Sequence, residues 1–483
     1  MPKKVATVIL SLLPPSKNNM LLDKTISELA VGLKTGEFTS VDLVNECYDN
    51  IDKYNPLTNA FITIVPREVA LEKAKSVKLT SPLSGLPFVL KDCFATEGIK
   101  TTAASKVLDN FIPPYSATIY KKLLEAGAIL VGKMNMDAWG HGGSSENTDF
   151  NPVKNPWDLT RVAGGSGGGP AVAIAARMAV FAVGEDTGGS IRNPAGWTNT
   201  TGLKVTYGRV SRYGAIAYAS SFDTVGPVAK SVDDCAIVLE TIAGVDKYDA
   251  TSSPSIVPEY SKSLDKSMSE ITIGIPQEFY GEGLDPEIKA AVLKVATDLQ
   301  TAGVTIKEIS MPLFDLCIPV YYLIGPSETS SNLARNDGIR YGQGRENFTK
   351  ETERRILIGT YALSAGYYEA YYKKAQQVRT LFIEEYKKAL SQCDILLQPI
   401  MPTSPPKFGE LIDNPLQNLL ADIYTTSQNP VGVPSLALPC GFTKSGLPIG
   451  AQIVGPMFAE ELLLQVGHQF QKLTDYHLQK AKI

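Results

Sequence analysis

Apolar residues fall along the chain in two kinds of run, and the two alternate. An apolar period through Leu29 and Leu33 follows Thr25-Ile26-Ser27. A second begins at Thr39-Ser40-Val41-Asp42, a capping signal, and continues through Tyr48, so residues 24–53 read as two helices. The same spacing predicts helices over Arg67–Ser76, from Ser116 through Leu124, from Asp285-Pro286 to Gly303, over Tyr361–Leu390 and over Phe458–Leu473. Between them lie short runs that read as strands: Phe88–Leu90, fully apolar and of the kind buried on both faces of a sheet, Ala128–Val131, another buried strand, and Ile271–Ile275, Val304–Ile309 and Asp394–Gln398. Asn59–Val65 is β-rich, and Leu419–Pro439 reads as loop and strand. Strand–helix–strand succession from 85 to 310 predicts an α/β fold, a central parallel or mixed sheet covered by helices on both faces. No repeat, low-complexity tract or linker divides residues 21–483, which read as one domain behind an N-terminal extension, 1–20.

The stretch Gly164–Arg192, GGSGGGPAVAIAARMAVFAVGEDTGGSIR, stands apart from this pattern. Two glycine-rich turns, each holding a serine (Ser166 and Ser190), flank an Ala/Val-rich segment. Glycine is used where backbone must take positive φ or approach something closely, and a glycine run leaves successive N–H groups free to converge on a negative oxygen. Ser190 in Asp186-Thr187-Gly188-Gly189-Ser190 therefore combines a nucleophile with an oxyanion hole in a few residues. One Gly-Gly-Ser alone is an ordinary turn; two joined by a buried segment are harder to read that way. Neither is a phosphate loop, since no Gly-Lys-Ser/Thr follows, and neither is a Gly-x-Ser-x-Gly elbow.

A general base must come from elsewhere. The chain has only three histidines: His141 in the polar loop Asn135–Asn147, and His468 and His477 in the last sixteen residues. None is given a catalytic role, and the search turns to lysine. Lys91 ends the apolar strand Phe88–Leu90. On that feature alone it is either a solvated strand-end lysine or a desolvated one whose lowered pKa makes a neutral amine available; Ser/Lys pairs are an attested substitute for Ser/His.

Composition narrows the class. With 483 residues, 44% hydrophobic and 20% charged, the chain is an ordinary globular protein, and a net charge of −4 gives no basic footprint for direct nucleic-acid binding. Six cysteines (Cys47, Cys93, Cys235, Cys317, Cys393, Cys440) are scattered, with no CxxC and no histidine at ligand spacing, which argues against structural zinc or a disulfide framework and fits a reducing cytoplasm. The amino-terminal MPKKVATVILSLLPP carries an apolar run of about nine residues, short of the roughly twenty that span a bilayer, and no clear cleavage site. Neither a membrane span nor a signal peptide is expected.

With Lys91, Ser166 and Ser190 in view, the sequence resembles the amidase signature family and, within it, the ammonia-generating A chains of glutamyl/aspartyl-tRNA amidotransferases. The resemblance covers roughly 24–475. It is carried by GLPFVLKD (85–92), NMDAWGHGGSSEN (135–147), NPWDLTRVAGGSGGG (155–169), DTGGSIR (186–192), GLKVTYGRVSRYG (202–214), SSNLARNDGIRYG (330–342) and RRILIGTYALSAGYYEAYYKKAQQVRT (354–380). It implies the amidase-signature fold over 21–483 and a triad of Ser190 (nucleophile), Ser166 (relay, after a cis peptide bond) and Lys91 (base, a neutral amine). It implies an oxyanion hole from the N–H groups of Thr187, Gly188, Gly189 and Ser190. Glutamine would be held at its amino-acid end by Arg355 and Asp422, with Arg354 a rival for the arginine; a guanidinium fork suits a carboxylate. The chain itself would use no metal or cofactor. Implied partners are a B subunit, which uses ATP and Mg²⁺ and holds mischarged Glu-tRNA(Gln) or Asp-tRNA(Asn), and a small C subunit, in a cytoplasmic heterotrimer.

The chain departs from the family pattern in places. Gly167 stands where a second serine is usual, Glu185 precedes Asp186, Cys93 follows Lys91-Asp92 where an asparagine is usual, Asn199-Thr200-Thr201 replaces a more apolar run, and Gly342–Arg355 is shorter. Two other readings stand beside the first: a stand-alone amidase of a small amide, which has no use for a carboxylate clamp, and a catalytically weakened scaffold subunit, prompted by Gly167.

Overall fold

The computed structural model describes residues 20–340, 342–411 and 419–483; the expected extension 1–20 lies, but for Met20, outside the described residues. Among the described residues thirteen strands run in chain order: β1 (Phe61–Ile64), β2 (Pro87–Lys91), β3 (Ile129–Met134), β4 (Lys154–Asn155), β5 (Asp158–Val162), β6 (Phe181–Asp186), β7 (Thr201–Lys204), β8 (Thr224–Ala229), β9 (Thr272–Pro276), β10 (Thr305–Ile309), β11 (Ile395–Pro399), β12 (Ser435–Phe442) and β13 (Pro448–Val454). Eleven form one sheet in the order β1-β3-β2-β6-β8-β7-β12-β13-β11-β9-β10, and β4–β5 is a separate hairpin. The sheet is mixed: β3–β2–β6 and β10–β9–β11 are parallel, and the joining pairs are antiparallel. Every residue of β2, β3, β6, β7, β8, β11 and β13 is buried. Strands whose side chains are buried on both sides must be covered on both faces, and the helices supply that cover.

Local signals placed most helices. Thr25 and Thr39 each close a reciprocal capping box, with Glu28 and Asp42 respectively, opening Ile26–Thr35 and Ser40–Thr58. Asp285 accepts from the Glu287 N–H at 2.7 Å and opens Pro286–Thr301. The long helix expected over Tyr361–Leu390 is instead two helices, Lys350–Ala362 and Lys374–Leu390, parted by a turn with Gly366 at φ +84° and a π-type turn over Glu369–Lys373. Helices Val232–Ile242 and Cys317–Leu333 and strands β7, β8 and β13 were not anticipated.

What positions the site is the parallel pair β2 and β6. Leu90 registers with Val183, so the carboxyl ends of both strands, Lys91 and Gly184–Asp186, emerge side by side. The connecting helix Gly168–Ala175 is wholly buried and packs on β2, β6 and β8; its glycines and alanines allow that close approach.

Candidate active site

The loop after β6 is held by one carboxylate. Asp186 accepts from the backbone N–H of Gly189 (2.9 Å) and Ile191 (3.0 Å) and from both Nε (3.1 Å) and Nη2 (3.0 Å) of Arg192. Burial pushes this carboxyl up, but the Arg192 guanidinium overrides that and holds it well below the usual carboxylate range. Gly189 has φ +128°, and a Cβ there would run into Thr425 Oγ1, so both conformation and space require glycine. The loop presents Ser190, which is 7% exposed, at the end of an otherwise buried turn.

The second glycine turn docks onto the first. Gly165–Ser166 is a cis peptide bond, and Gly167 N–H donates to Ser190 O at 3.1 Å. A Cβ on Gly167 would sit 2.5 Å from that same oxygen, so the missing serine is matched by a close backbone contact. The turn is braced by loop 135–147. Ser145 Oγ donates to Gly164 O (2.7 Å) and accepts from Gly168 N–H (3.1 Å), and Asp137 accepts from Ser145 and Asn147 N–H. Burial raises Asp137 to about 7 against those two hydrogen bonds.

The three expected side chains meet. Lys91 Nζ donates to Ser166 Oγ at 2.8 Å, and Ser166 Oγ donates to Ser190 Oγ at 2.9 Å, with Lys91 and Ser166 fully buried. Burial disfavours the Lys91 ammonium, but Glu185 Oε2 lies 2.8 Å from Nζ, and while that carboxylate is ionised its charge reverses the balance and raises the lysine above its ordinary value. The expected oxyanion hole loses one member: the Gly189 N–H is already given to Asp186, whereas the N–H groups of Thr187, Gly188 and Ser190 make no hydrogen bond among the described residues.

Arg355 is buried and Arg354 only partly so, which separates the two rivals. Arg355 Nε donates to Glu351 Oε1 at 2.7 Å and Nη1 to the Tyr218 hydroxyl, and its guanidinium lies 5.1 Å from the Tyr322 ring centre. The Tyr322 hydroxyl in turn donates to Asp422 Oδ2 at 2.8 Å, so Arg355 and Asp422 flank one tyrosine. Burial lifts Asp422 to about 6. Thr425, on the same turn as Asp422, donates from Oγ1 to Gly188 O at 2.7 Å, which ties this polar pair to the Ser190 loop. His141 is buried between the Thr352 and Thr329 hydroxyls, away from the relay, and burial lowers its pKa.

The model of the Amidase family matches residues 42–464. The chain belongs to the amidase family. It is 46% identical to the A chain of the glutamyl-tRNA(Gln) amidotransferase of Desulfatibacillum aliphaticivorans, over 96% of this chain and 100% of that one. It is equally similar, 46%, to the corresponding protein of Alkalilimnicola ehrlichii, over 95% and 98%. The crystal structure of the same amidotransferase component from Thermotoga maritima superimposes with a TM-score of 0.81 at 37% identity, covering 93% of this chain and 94% of that chain. Membership of this family makes the chain an amidase-type enzyme on an α/β fold with a large mixed sheet flanked by helices.

Several residues that shape the site were not anticipated: Glu185, Asp223, Ser145, Asp137, Tyr218 and Tyr322. Glu185 carried a signal of the same kind as Lys91, a charge at the end of an apolar strand. The tyrosines carried none, because a helix or turn tyrosine reads as packing. Among the described residues no group of three or more His, Cys, Asp or Glu side chains is placed to hold a metal ion, and no helix is long and apolar enough to cross a membrane.

Proposed function

We propose that this chain is the glutaminase component of a tRNA-dependent amidotransferase. It hydrolyses glutamine and hands ammonia to a B subunit, which with a C subunit, ATP and Mg²⁺ converts Glu-tRNA(Gln), Asp-tRNA(Asn) or both to Gln-tRNA(Gln) and Asn-tRNA(Asn), in a cytoplasmic heterotrimer. The observation that carries the reading is the unbroken hydrogen-bonded line Lys91–Ser166–Ser190, at 2.8 and 2.9 Å, beside a buried Arg355 and Asp422. A serine relay needs its three groups at this spacing, and an α-amino acid needs one cation and one anion to fix its end.

In this mechanism Ser190 Oγ attacks the side-chain amide carbon of glutamine while its proton passes to Ser166 Oγ and the Ser166 proton to Lys91. The N–H groups of Thr187, Gly188 and Ser190 receive the developing oxyanion. Collapse breaks the C–N bond, and the relay runs backwards to protonate the departing nitrogen, releasing ammonia and leaving a glutamyl ester on Ser190. Water takes the amide's place, gives its proton to the same relay, and glutamate leaves. Arg355 takes the α-carboxylate and Asp422 the α-ammonium, which fixes the amide relative to Ser190.

The test is the assembled complex, assayed for glutamine-dependent transamidation and for glutamate release. Ser190→Ala abolishes both and leaves ammonia-dependent transamidation intact. If the parent complex cleaves simple amides well but never glutamine, the reading is wrong.

A further inference from the structure

Glu185 is hydrogen-bonded to Lys91 and, through Thr187, is linked to Asp223, and the mechanism above gives neither carboxylate a task. Lys91 Nζ donates to Ser166 Oγ (2.8 Å), Glu185 O (3.0 Å) and Glu185 Oε2 (2.8 Å), three acceptors for an ammonium's three protons. An ammonium so engaged has no lone pair, so it cannot receive the Ser166 proton. The other Glu185 oxygen, Oε1, is hydrogen-bonded to Thr187 Oγ1, and that same hydroxyl lies 2.8 Å from Asp223 Oδ1. A hydroxyl has one proton and an ionised carboxylate has none to give. Thr187 can donate to one of its two carboxyl neighbours only, so the other must donate to it. Proton counting therefore places one proton and one negative charge on the pair.

We propose that Glu185, Thr187 and Asp223 form a charge relay that sets the protonation of Lys91, acting as positioning residues through the lysine. In the base-ready state Glu185 carries the shared proton on Oε1 and donates it to Thr187, which donates to an ionised Asp223; Lys91 is then a neutral amine beside a neutral acid. As Lys91 takes the Ser166 proton, the Glu185 Oε1–H bond breaks, its proton joins Thr187 Oγ1, and the former Thr187 proton joins Asp223 Oδ1. The negative charge has moved to Glu185, next to the new ammonium. Release of ammonia reverses both shifts. No proton is gained or lost by the network.

Two further observations fit. Asp223 is furnished to hold either charge state: Oδ2 accepts from Tyr218 N–H (3.0 Å) and Oδ1 from Ala219 N–H (2.9 Å), while burial, and then the Glu185 charge, lift it to about 8. A cavity of about 190 Å³ reaches Glu185 and Asp223 between Arg212, Tyr213, Ser220 and Tyr248, so the shared proton equilibrates with solvent. The other groups that face the network are Asp186 and Cys93 at Lys91, Arg212 at Asp223, and Asp249, which lines the same cavity and pairs with Arg212. At alkaline pH the pair loses its one proton, both carboxylates carry charge and Lys91 is locked as ammonium, so nucleophile activation falls on the alkaline side.

The inference rests on the serine relay proposed above, and its test uses a readout that does not depend on which amide is cleaved. The rate of Ser190 phosphonylation by a fluorophosphonate is followed by intact mass across pH 6–10 in the full chain. Thr187→Val removes the hydroxyl, keeps the shape and keeps the backbone N–H; Thr187→Ser restores the hydroxyl. The expected result is a rate at least about 10-fold lower in Thr187→Val, in line with the usual worth of a positioned proton acceptor, with the alkaline fall abolished and with Thr187→Ser restored to about the parent rate and profile. Equal rates and profiles in Thr187→Val and parent overturn the relay, and so does a Thr187→Ser as slow as Thr187→Val, which marks a packing role. An unlabelled Ser190 in the parent overturns it together with the serine mechanism. Normal, Thr187-dependent labelling without glutamine hydrolysis leaves the relay standing and rejects the glutaminase reading alone.

Discussion

The Asp186–Arg192 clamp makes a demand that can be measured without any substrate. Arg192 is fully buried and, besides its two bonds to Asp186, donates to Gln428 Oε1 (2.8 Å), Gln452 Oε1 (3.0 Å), Thr425 O (2.8 Å) and Asn429 Oδ1 (2.8 Å). Arg192→Met removes every one of these. Stripping one partner from a buried ion pair costs about 3–5 kcal/mol, and an orphaned neutral acceptor about 1–3 more. Gln452 Oε1 keeps the Ser435 hydroxyl at 2.8 Å, whereas Gln428 Oε1, Asn429 Oδ1 and Thr425 O each lose the donor that Arg192 supplies. Lys204 is close enough to lower Asp186 and recovers part of the loss. A net cost of at least about 4 kcal/mol follows, a large share of the roughly 5–15 kcal/mol that holds a domain folded.

The assay is urea unfolding followed by tryptophan fluorescence, alongside the Ser190 labelling rate in dilute urea. At an m-value of about 3 kcal/mol/M the midpoint falls by about 1 M or more. Arg192→Lys, which keeps the charge but cannot span both Asp186 oxygens, falls about half as far. Linkage fixes the pH dependence. Asp186 is depressed in the folded state, so its contribution is present above its unfolded value of 3.8 and is lost as pH falls toward its folded one; the gap between parent and Arg192→Met narrows below about pH 4. Labelling slows as well, because Asp186 also holds the Gly189 and Ile191 N–H groups on either side of Ser190, and a misplacement of about 1 Å is worth about 100-fold. An Arg192→Lys chain that unfolds at the parent midpoint and labels at the parent rate refutes the clamp.

Asp422→Asn raises KM for glutamine about 10- to 150-fold, the worth of a hydrogen bond to a charged group, with little change in kcat. Because burial lifts Asp422 to about 6 and only the carboxylate holds an ammonium, kcat/KM of the parent falls as pH drops through about 6, and steady-state kinetics show that limb missing in the variant. Ser145→Ala releases Gly164 O and Gly168 N–H, costs about 1–3 kcal/mol in thermal or urea unfolding, and slows Ser190 labelling by loosening the Ser166 turn.

Much of the fold was legible because it is local. Capping boxes, a Pro after an aspartate and short apolar runs fix helix starts and central strands with little help from the rest of the chain. What escaped depends on pairing across distance. β7, β8 and β13 hold Gly, Thr, Pro and Lys among their apolar residues and become strands only by lying between partners far away in sequence. The split at 363–373 has the opposite cause: a helix-rich composition hides one glycine, Gly366, whose φ of +84° lies in the turn between the two helices.

The same division runs through the site. Lys91, Ser166 and Ser190 were legible because a strand-end lysine and two glycine-framed serines announce themselves as residue types. The charge on Lys91 was not, because it is set by register: parallel pairing of Leu90 with Val183 brings the end of β2 beside the end of β6, and Glu185 arrives with it. Desolvation alone pushes a buried amine toward neutrality, whereas an ionised carboxylate at 2.8 Å outweighs that push. The chain thus places against its expected base the one type of group that, when ionised, disables it. A buried carboxylate escapes that conflict by carrying a proton, and the single Thr187 hydroxyl shared with Asp223 obliges one member of the pair to carry one. The second carboxylate therefore resolves the difficulty the first one creates: with both present, the proton that neutralises Glu185 has somewhere to go when the lysine becomes an ammonium.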